Sequence, residues 1–259
     1  MTPVTVITGA SAGIGAELAR VFAGHGHRVA LVARREQRLA ALAAELAAAG
    51  RPAPVVLPID LAQPDAAARL GEGLTAHGLE PQYIVNNAGF GLAGRAAELD
   101  VAEQLAMIDL NVRTLTDLSL AFVDQLARHK GGILNIASLA SFLPAPGMAV
   151  YYATKAYVLS LSEALHQEFR KRGVRVTALC PGPVPTEFQA RAGLEASQRH
   201  GLLELSASEV AEAGFRGFAA GKRLVVPGFW NKLVPFFLRF VPRWVVIALS
   251  DSRQKNRRT

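Results

Sequence analysis

Short apolar segments that alternate with helical segments constrain this chain more than any other feature of its sequence. The apolar segments show no in/out alternation, so both faces of each strand are expected to be buried. The predicted strands are Val4–Ile7, Arg28–Ala33, Val55–Ile59, Tyr83–Val85, Ile133–Ala137, Val174–Leu179 and Leu224–Val226. We therefore expect an α/β fold of the Rossmann-like type, a doubly wound parallel sheet of about seven strands with helices on both faces.

Helical periodicity fills the segments between these strands, and glycines end several of them. The predicted helices are Ile14–Ala23, Glu36–Ala49, Pro64–Ala76, two helices within Ala97–Lys130, Ala149–Lys171, and Ser208–Ala220 with Ser208 as its N-cap. Candidate site residues follow five strands: Gly9, Asp60, Asn87, Ser138 and Pro181. Because ligands of such sheets bind at the carboxyl ends of the strands, these five residues are expected to share one binding edge.

Length and composition favour one globular domain. The chain has 259 residues, of which 51% are hydrophobic and 19% charged. Cys180 is the only cysteine, so no intrachain disulfide can form. The sequence enters its first strand with no basic start or apolar leader, which favours a cytoplasmic location. The net charge of +7 is concentrated after residue 228, and the rest has no basic run of the kind that binds nucleic acid.

A glycine-rich turn, Thr8-Gly9-Ala10-Ser11-Ala12-Gly13-Ile14-Gly15, joins the first strand to the first helix. Gly9, Gly13 and Gly15 would let backbone N–H groups approach a pyrophosphate at the helix N-terminus. The spacing differs from G-x-G-x-x-G, so the turn alone leaves an ordinary loop as an open alternative.

Two arginines after the second strand favour NADP over NAD. Arg34, supported by Arg35, would bind the 2′-phosphate, whereas NAD sites place an acid there. Glu36 adds repulsion toward a phosphate, and the alternative is that both arginines only solubilise the helix start. Asp60 could accept a hydrogen bond from the adenine, with Leu61 beside the ring, or could cap the next helix.

Tyr151 and Lys155 lie one helical turn apart, and Ser138 follows the preceding strand. Reduction of a carbonyl needs a proton donor for its oxygen. A tyrosine pKa is ordinarily near 10, and we expect the neighbouring ammonium of Lys155 to lower it. Ser138 could hydrogen-bond the substrate oxygen. The Tyr-x-x-x-Lys spacing alone is weak, and Tyr152 and Tyr157 are alternative tyrosines.

Taken together, these motifs resemble the short-chain dehydrogenase/reductase family, in its single-domain group of roughly 250 residues. Thr8–Gly15 resembles the family's TGxxxGxG turn, Asn86–Gly89 its NNAG segment, and Pro181–Thr186 its PG-containing segment. The resemblance covers nearly all of residues 1–228. One departure is that the glycine turn lacks the basic residue that NADP-preferring relatives often carry.

The resemblance implies a catalytic role for Tyr151 as acid/base, within a tetrad that adds Ser138, Lys155 and Asn111. Asn111 is identified only by the resemblance. The residues expected to bind the cofactor are Gly9, Ser11, Gly13, Ile14, Gly15, Arg34, Arg35, Asp60, Leu61, Asn87, Ala88, Gly89, Tyr151, Lys155, Pro181, Gly182, Val184 and Thr186. The histidines show no metal-ligand spacing, so no metal is expected. Cys180 is expected to be a core residue and not a nucleophile.

Two segments near the C-terminus are expected to contact the substrate or a partner. Residues 187–206 lack a strong hydrophobic pattern and are interpreted as a mobile lid. Leucines 194, 202, 203 and 205 could line an apolar pocket or form the packing face of a lid helix. Residues 229–259 form an amphipathic basic and aromatic extension, whose apolar face could contact a membrane surface, this protein itself or a second subunit. Pro235 and Pro242 are expected to kink or divide its helix.

These features predict an NADP(H)-dependent oxidoreductase that interconverts a secondary alcohol and a carbonyl on an apolar small molecule or acyl lipid. The resemblance implies a homodimer or homotetramer. The alternatives are a non-catalytic NADP(H) sensor and a membrane-peripheral scaffold on the same fold. A sugar-nucleotide epimerase is disfavoured by the chain length and the glycine spacing.

Overall fold

Seven parallel strands form one sheet in the computed structural model, which describes residues 1–194 and 202–248. The strands are β1 (Thr2–Thr8), β2 (Val29–Ala33), β3 (Val55–Pro58), β4 (Leu79–Asn86), β5 (Gly132–Ile136), β6 (Arg175–Leu179) and β7 (Leu224–Val225). Their order is β3-β2-β1-β4-β5-β6-β7. The predicted Rossmann-like sheet is therefore confirmed, with its boundaries shifted by a few residues.

The helices connect these strands in the right order for a doubly wound sheet. They are α1 (Gly13–Gly24), α2 (Glu36–Ala48), α3 (Ala66–Ala76), α4 (Val101–Ile108), α5 (Leu115–Ala121), α6 (Val123–Arg128), α7 (Ala149–Arg170), α8 (Glu187–Arg191), α9 (Ala207–Ala219) and α10 (Phe229–Leu238). A π-helical turn, Asp109–Thr114, joins α4 to α5, and a 3₁₀ turn, Leu139–Phe142, follows β5. The prediction of two helices within 97–130 missed the π-helical turn and the break at Phe122.

The predicted N-cap of α9 was wrong by two residues. Ser206, not Ser208, caps the helix, because its side chain accepts a hydrogen bond from the backbone N–H of Glu209. The Glu209 carboxylate accepts in return from the Ser206 backbone N–H at 2.9 Å. This reciprocal capping box satisfies N–H groups that would otherwise have no partner, and Ser208 has no such glutamate three residues later.

The sheet reverses its winding direction between β1 and β4. β1 pairs with β2 on one side and with β4 on the other, so the connections from β1 and β4 leave toward opposite halves of the sheet. Buried side chains cover both faces: Leu70 and Leu118 belong to one core layer, and Phe22 and Phe218 to the other. A crevice at the carboxyl ends of β1 and β4 is where such folds bind ligands.

The described part of the C-terminal extension is helical on both sides of Pro242. α10 contains Pro235, and residues 243–248 form a second helical segment after Pro242. Proline therefore divides the extension at Pro242, as expected, while Pro235 lies within α10. Over residues 1–194 and 202–248, no helix has both the length and the hydrophobicity needed to cross a bilayer.

Candidate active site

The glycine turn after β1 has a backbone that other residues could not readily adopt. Gly9 and Gly13 have positive φ angles of 65° and 55°. A Cβ on Gly15 would lie 2.3 Å from the Gly9 carbonyl oxygen. Ala12, which precedes α1, offers no side-chain cap, so the first N–H groups of α1 have no side-chain acceptor from this position. The turn therefore forms a cradle of the kind that binds a pyrophosphate.

A hydrogen-bonded clamp holds this turn against the end of β4. The Thr8 hydroxyl donates to the Val85 carbonyl at 3.0 Å and accepts from the backbone N–H groups of Asn87 and Ala88 at 2.9 and 3.0 Å. The Asn87 amide donates to the carbonyl of Thr8 at 2.9 Å and to that of Gly9 at 3.3 Å. Asn87 and Ala88 thus lie beside the cradle.

Arginines at the start of α2 face the same turn. Arg35 donates through Nε and Nη2 to the Ser11 hydroxyl at 3.1 and 2.9 Å, and its Nη1 pairs with Glu187 at 2.7 Å. Arg38 also pairs with Glu187. These contacts with Arg38 and Arg35 lower the pKa of Glu187. Arg34 is exposed and forms no ion pair with any described residue, so its guanidinium is available to an anion.

Asp60 and Leu61 follow β3, where the sequence left two roles open for Asp60, an adenine contact and a helix N-cap. The Asp60 carboxylate accepts from the Ala62 backbone N–H at 3.1 Å, forming a local turn. It does not cap α3, whose N-cap position is Asp65. Leu61 is buried, and its carbonyl accepts from the Thr114 hydroxyl at 2.7 Å. The helix-capping alternative for Asp60 is therefore wrong.

Ser138, Tyr151 and Lys155 meet at the carboxyl end of β5. Ser138 hydrogen-bonds the Tyr151 side chain and accepts from the Ala140 backbone N–H at 3.1 Å. The Lys155 ammonium is buried, lies 6.0 Å from the centroid of the Tyr151 ring and donates to the Ile136 carbonyl at 2.8 Å. The three predicted side chains are therefore brought together.

Burial dominates the titration of this cluster. Burial raises the pKa of Tyr151 to about 12, although the Ser138 hydrogen bond opposes the shift. Burial also lowers the pKa of Lys155 to about 8. The predicted net lowering of the Tyr151 pKa is wrong for this structure, because desolvation of the phenolate outweighs any stabilisation by the Lys155 ammonium, which donates to a carbonyl. At neutral pH Tyr151 is a protonated phenol and hence a proton donor.

Asn111 lies in the π-helical turn between α4 and α5. Its Nδ2 donates to the Phe90 carbonyl at 2.9 Å and to the Thr154 hydroxyl at 3.1 Å, and its Oδ1 accepts from the Phe90 backbone N–H at 3.1 Å. A Cβ on Gly89 would lie 2.8 Å from Asn111 Oδ1 and 3.8 Å from Lys155 Nζ. Asn111 is thus close to the lysine, and π-helical turns often occur at functional sites.

A buried polar network fixes the helix that carries Tyr151 and Lys155. The Asn86 amide donates to Asn135 Oδ1 at 2.9 Å and to the Ser119 hydroxyl at 3.1 Å. The Asn135 amide donates in turn to the Ser162 hydroxyl at 2.9 Å. These bonds connect β4, β5, α5 and α7 beneath the site. The sequence analysis did not identify them, although an asparagine inside an apolar strand is a signal for such a network.

Aromatic side chains cover the Tyr151 ring. The centroid of the Phe188 ring, on α8, lies 5.3 Å from that of Tyr151. A Cβ on Gly91 would lie 2.7 Å from Phe188 and 3.2 Å from Tyr151. The Arg191 guanidinium lies 5.0 Å from the centroid of Phe90. Sequence reasoning did not single out Phe188, Phe90, Arg191 or Glu187, because isolated residues in a short segment produce no periodic pattern.

The PG-containing segment after β6 lies between the glycine turn and α10. The Leu139 N–H donates to the Pro181 carbonyl at 2.8 Å, and a Cβ on Gly182 would lie 2.8 Å from the Asn231 side chain. Val184 is buried against the core beside α1. Thr186 caps α8, and its Cγ2 would lie 3.1 Å from a Cβ on Gly13. Ile14 packs against the same core layer as Val184.

The structure describes only part of the predicted lid, residues 187–206, because residues 195–201 lie outside the described residues. Leu202 is 79% exposed. Leu205 packs against the core, and Leu194 and Leu203 are half-buried. Within residues 187–194, Phe188 of α8 provides the contact with Tyr151.

The other candidate residues have structural roles. The Tyr157 hydroxyl lies 3.0 Å from the Thr116 hydroxyl, on the outer side of α7, and the Tyr152 ring packs edge-on against Tyr151. Cys180 is fully buried, and burial raises the pKa of its thiol to about 12. Within the described ranges, no group of three or more His, Cys, Asp or Glu side chains is placed to hold a metal ion.

Known proteins are similar to this chain over most of its length. The family model for short chain dehydrogenases matches residues 3–196. Sulfoacetaldehyde reductase 2 of Chromohalobacter salexigens is 35% identical over 223 residues, which cover 83% of this chain and 88% of the relative. A short-chain dehydrogenase from Sphingobium yanoikuyae in complex with NADPH has a TM-score of 0.80 and 34% identity, covering 89% of this chain and 92% of that one. A short chain dehydrogenase/reductase from Burkholderia phymatum in complex with NAD has a TM-score of 0.79 and 25% identity, covering 92% of each.

The rigidity of the glycine cradle is testable with two substitutions in α1. We expect Gly15→Ala to lower the free energy of unfolding by about 1–3 kcal/mol, because its Cβ would overlap the Gly9 carbonyl. Gly24→Ala is the matched control, since nothing lies within 4 Å of its Cβ, and we expect it to add about 0.4–1 kcal/mol. Urea denaturation measures both. A Gly15→Ala protein as stable as wild type would contradict the tight turn.

Proposed function

The chain belongs to the short chain dehydrogenase family and is an oxidoreductase, and we propose that it is an NADPH-dependent reductase of apolar carbonyl compounds. The observation that carries this proposal is the cluster of Ser138, Tyr151 and the buried Lys155 at the same edge of the sheet as the glycine cradle. We assign cofactor binding and catalysis to residues 1–228 and treat residues 229–259 as an extension of the same domain.

The cradle and its neighbours fit a dinucleotide. A Cβ on Gly9 would lie 2.7 Å from the Asn87 amide nitrogen, so only a residue without a side chain leaves this space open. We propose that Gly9, Ser11, Gly13 and Gly15 hold the pyrophosphate and that Asn87 orders the turn around it. Asp60 and Leu61 are proposed for the adenine end, and Gly89, Pro181, Gly182, Val184 and Thr186 for the nicotinamide end.

The proposed chemistry is proton transfer at the substrate oxygen. A bound nicotinamide cofactor supplies the hydride. The Ser138 hydroxyl hydrogen-bonds the carbonyl oxygen, and the Tyr151 phenol gives that oxygen its proton. The Lys155 ammonium stabilises the phenolate that remains. Asn111 holds the Phe90 backbone and the Thr154 side chain in place beside Lys155. We propose Ser138, Tyr151, Lys155 and Asn111 as the catalytic residues.

A preference for NADP over NAD rests on Arg34. Its exposed guanidinium has no anionic partner among the described residues, whereas Arg35 and Arg38 are already paired with Glu187. A 2′-phosphate would give Arg34 a charge-assisted hydrogen bond. Similar structures hold NADPH in one case and NAD in another, so the proposed preference is argued from the residues of this chain alone.

Thermal unfolding with each cofactor tests this preference. We expect saturating NADPH to raise the midpoint by about 5–10 °C, because a ligand at a hundred times its Kd adds about 2.7 kcal/mol. Arg34→Ala should lose most of the NADPH shift, and Arg69→Ala, which removes an exposed arginine from α3, should keep it. An equal shift with NADH, or an undiminished NADPH shift in Arg34→Ala, would overturn the assignment.

An apolar substrate is favoured by the aromatic ring of Phe188 next to Tyr151. Phe188 contacts the Tyr151 ring, and Phe90 lies on the segment that Asn111 anchors. A second candidate is a small anionic carbonyl compound, which Arg191 beside Phe90 could bind. The name of the Chromohalobacter relative, a sulfoacetaldehyde reductase, agrees with that second candidate.

A substrate panel separates the two candidates. With NADPH, we expect kcat/KM for 4-phenyl-2-butanone to exceed that for sulfoacetaldehyde by at least about tenfold, because burial of several apolar carbons favours the ketone. Phe188→Ser should lower the ketone value more than Arg191→Gln does. Efficient reduction of sulfoacetaldehyde that Arg191→Gln abolishes, with no reduction of the ketone, would contradict the apolar assignment.

The pH dependence of reduction tests the role of Lys155. Its folded-state pKa is about 8, so the ammonium is present below pH 8 and is lost as pH rises. We expect kcat/KM for carbonyl reduction to fall about tenfold per pH unit above that value. Tyr151 keeps its proton throughout, since its pKa is about 12. Lys155→Met should be at least about 100-fold slower, with no such decline, and a flat wild-type profile from pH 7 to 10 would count against this role.

Self-association is the proposed assembly, as a homodimer or homotetramer. The α4 helix exposes three large apolar side chains, Val101, Leu105 and Ile108, at 66%, 55% and 39%. Such a face is better buried against a second copy than left in water.

A further inference from the structure

The C-terminal extension exposes an unusual concentration of large apolar side chains. This aromatic surface consists of Phe229, Trp230, Phe236, Phe237, Phe240, Trp244 and Ile247. Phe240 and Trp244 are 72% and 73% exposed. Single exposed apolar residues are ordinary on soluble proteins, but a contiguous group of this size marks an interaction site.

The inner face of α10 is already anchored, so the aromatic surface cannot be turned inward by rotating the helix. Asn231 is buried, and its amide donates to the Pro227 carbonyl at 2.9 Å and to the Leu203 carbonyl at 3.1 Å. Val234 packs against the core cluster that includes Leu139. α10 also contacts the 3₁₀ turn that follows Ser138, which places it on the side of the molecule that holds the candidate active site.

Basic side chains accompany the aromatic surface. Lys232, Arg239 and Arg243 are exposed, and none of them forms an ion pair with a described residue. Their spacing of seven and four residues places Lys232 and Arg239 along one edge of α10, with Arg243 just beyond it. From residue 229 to the C-terminus the sequence contains seven basic residues and one acidic residue. The partner of this surface therefore carries negative charge around an apolar region.

A second copy of this chain fits that description poorly. A two-fold symmetric contact through the aromatic surface would bring two sets of unpaired cations together, and like charges across an interface are unfavourable. A lipid bilayer with anionic head groups offers both properties at once. Phenylalanine and tryptophan side chains enter the head-group boundary, while lysine and arginine reach the phosphates.

We propose that the aromatic surface docks this protein on membranes that contain anionic lipid, with α10 lying in the plane of the interface. The surface is distinct from the cofactor and proton-transfer residues, so docking does not depend on the proposed reaction. Because α10 packs beside the turn after Ser138, the docked protein has its candidate active site on the side of the molecule that carries the membrane contact.

Intrinsic fluorescence reports this docking directly, because Trp230 and Trp244 are the only two tryptophans in the chain and both are exposed. The full-length protein is mixed with vesicles of phosphatidylcholine alone or with about one-third phosphatidylglycerol, at low and high salt. We expect a blue shift of tryptophan emission and co-flotation with the anionic vesicles, weakened by salt because screening reduces the attraction. Phosphatidylcholine vesicles should give much weaker binding.

Two sets of substitutions separate the apolar and the charged contributions. We expect Lys232→Glu, Arg239→Glu and Arg243→Glu together to lower partitioning at least about 100-fold, since each cation contributes about fivefold. Phe236→Ser, Phe237→Ser and Phe240→Ser together should abolish flotation. The matched control is Leu120→Ser on α5, which removes a half-exposed large apolar side chain outside the C-terminal extension and should leave flotation unchanged.

Three results would overturn the proposal. One is the absence of a blue shift with anionic vesicles. Another is binding that neither set of C-terminal substitutions reduces. The third is a blue shift that depends on protein concentration without vesicles, which would identify a second copy as the partner. Thermal unfolding of each variant separates loss of docking from loss of folding, and the charge variant keeps the test decisive if the serine variant is unstable.

Discussion

The Thr8 hydroxyl makes the contact on which the site most depends. It lies at the end of β1, donates to the Val85 carbonyl and accepts from the N–H groups of Asn87 and Ala88. These bonds join the two strands at which the sheet changes its winding direction. Since the glycine cradle begins directly after Thr8, the same bonds fix the cradle relative to the end of β4. A doubly wound sheet provides the crevice, and this clamp determines its shape.

Burial then sets the chemistry of the side chains at the edge of that crevice. Lys155 is held at the Ile136 carbonyl and has a pKa of about 8, while Tyr151 remains a phenol with a pKa of about 12. A half-buried phenol hydrogen-bonded to Ser138 is suited to giving a proton to a carbonyl oxygen. The packing around the cluster therefore keeps Tyr151 in the protonated form that carbonyl reduction requires in our proposal.

The sequence was sufficient for the fold because buried parallel strands are continuous apolar runs, as in Val29–Ala33. It also predicted that Ser138, Tyr151 and Lys155 lie close together, because two of them are one turn apart on one helix and the third follows a strand end. It could not predict contacts between distant segments, such as Glu187 with Arg35 or Phe188 with Tyr151. The Tyr151 pKa was predicted in the wrong direction for the same reason, since desolvation depends on packing that spacing does not reveal.

The most direct test of this account is single-turnover reduction of a hydrophobic ketone by NADPH in the wild-type protein and in Tyr151→Phe. The account predicts that both proteins still bind NADPH, because the cradle holds the pyrophosphate without the phenol hydroxyl. It predicts that Tyr151→Phe reduces the ketone about 100- to 10,000-fold more slowly, the usual contribution of a proton donor. Equal rates in the two proteins would contradict the assignment of Tyr151 as the acid.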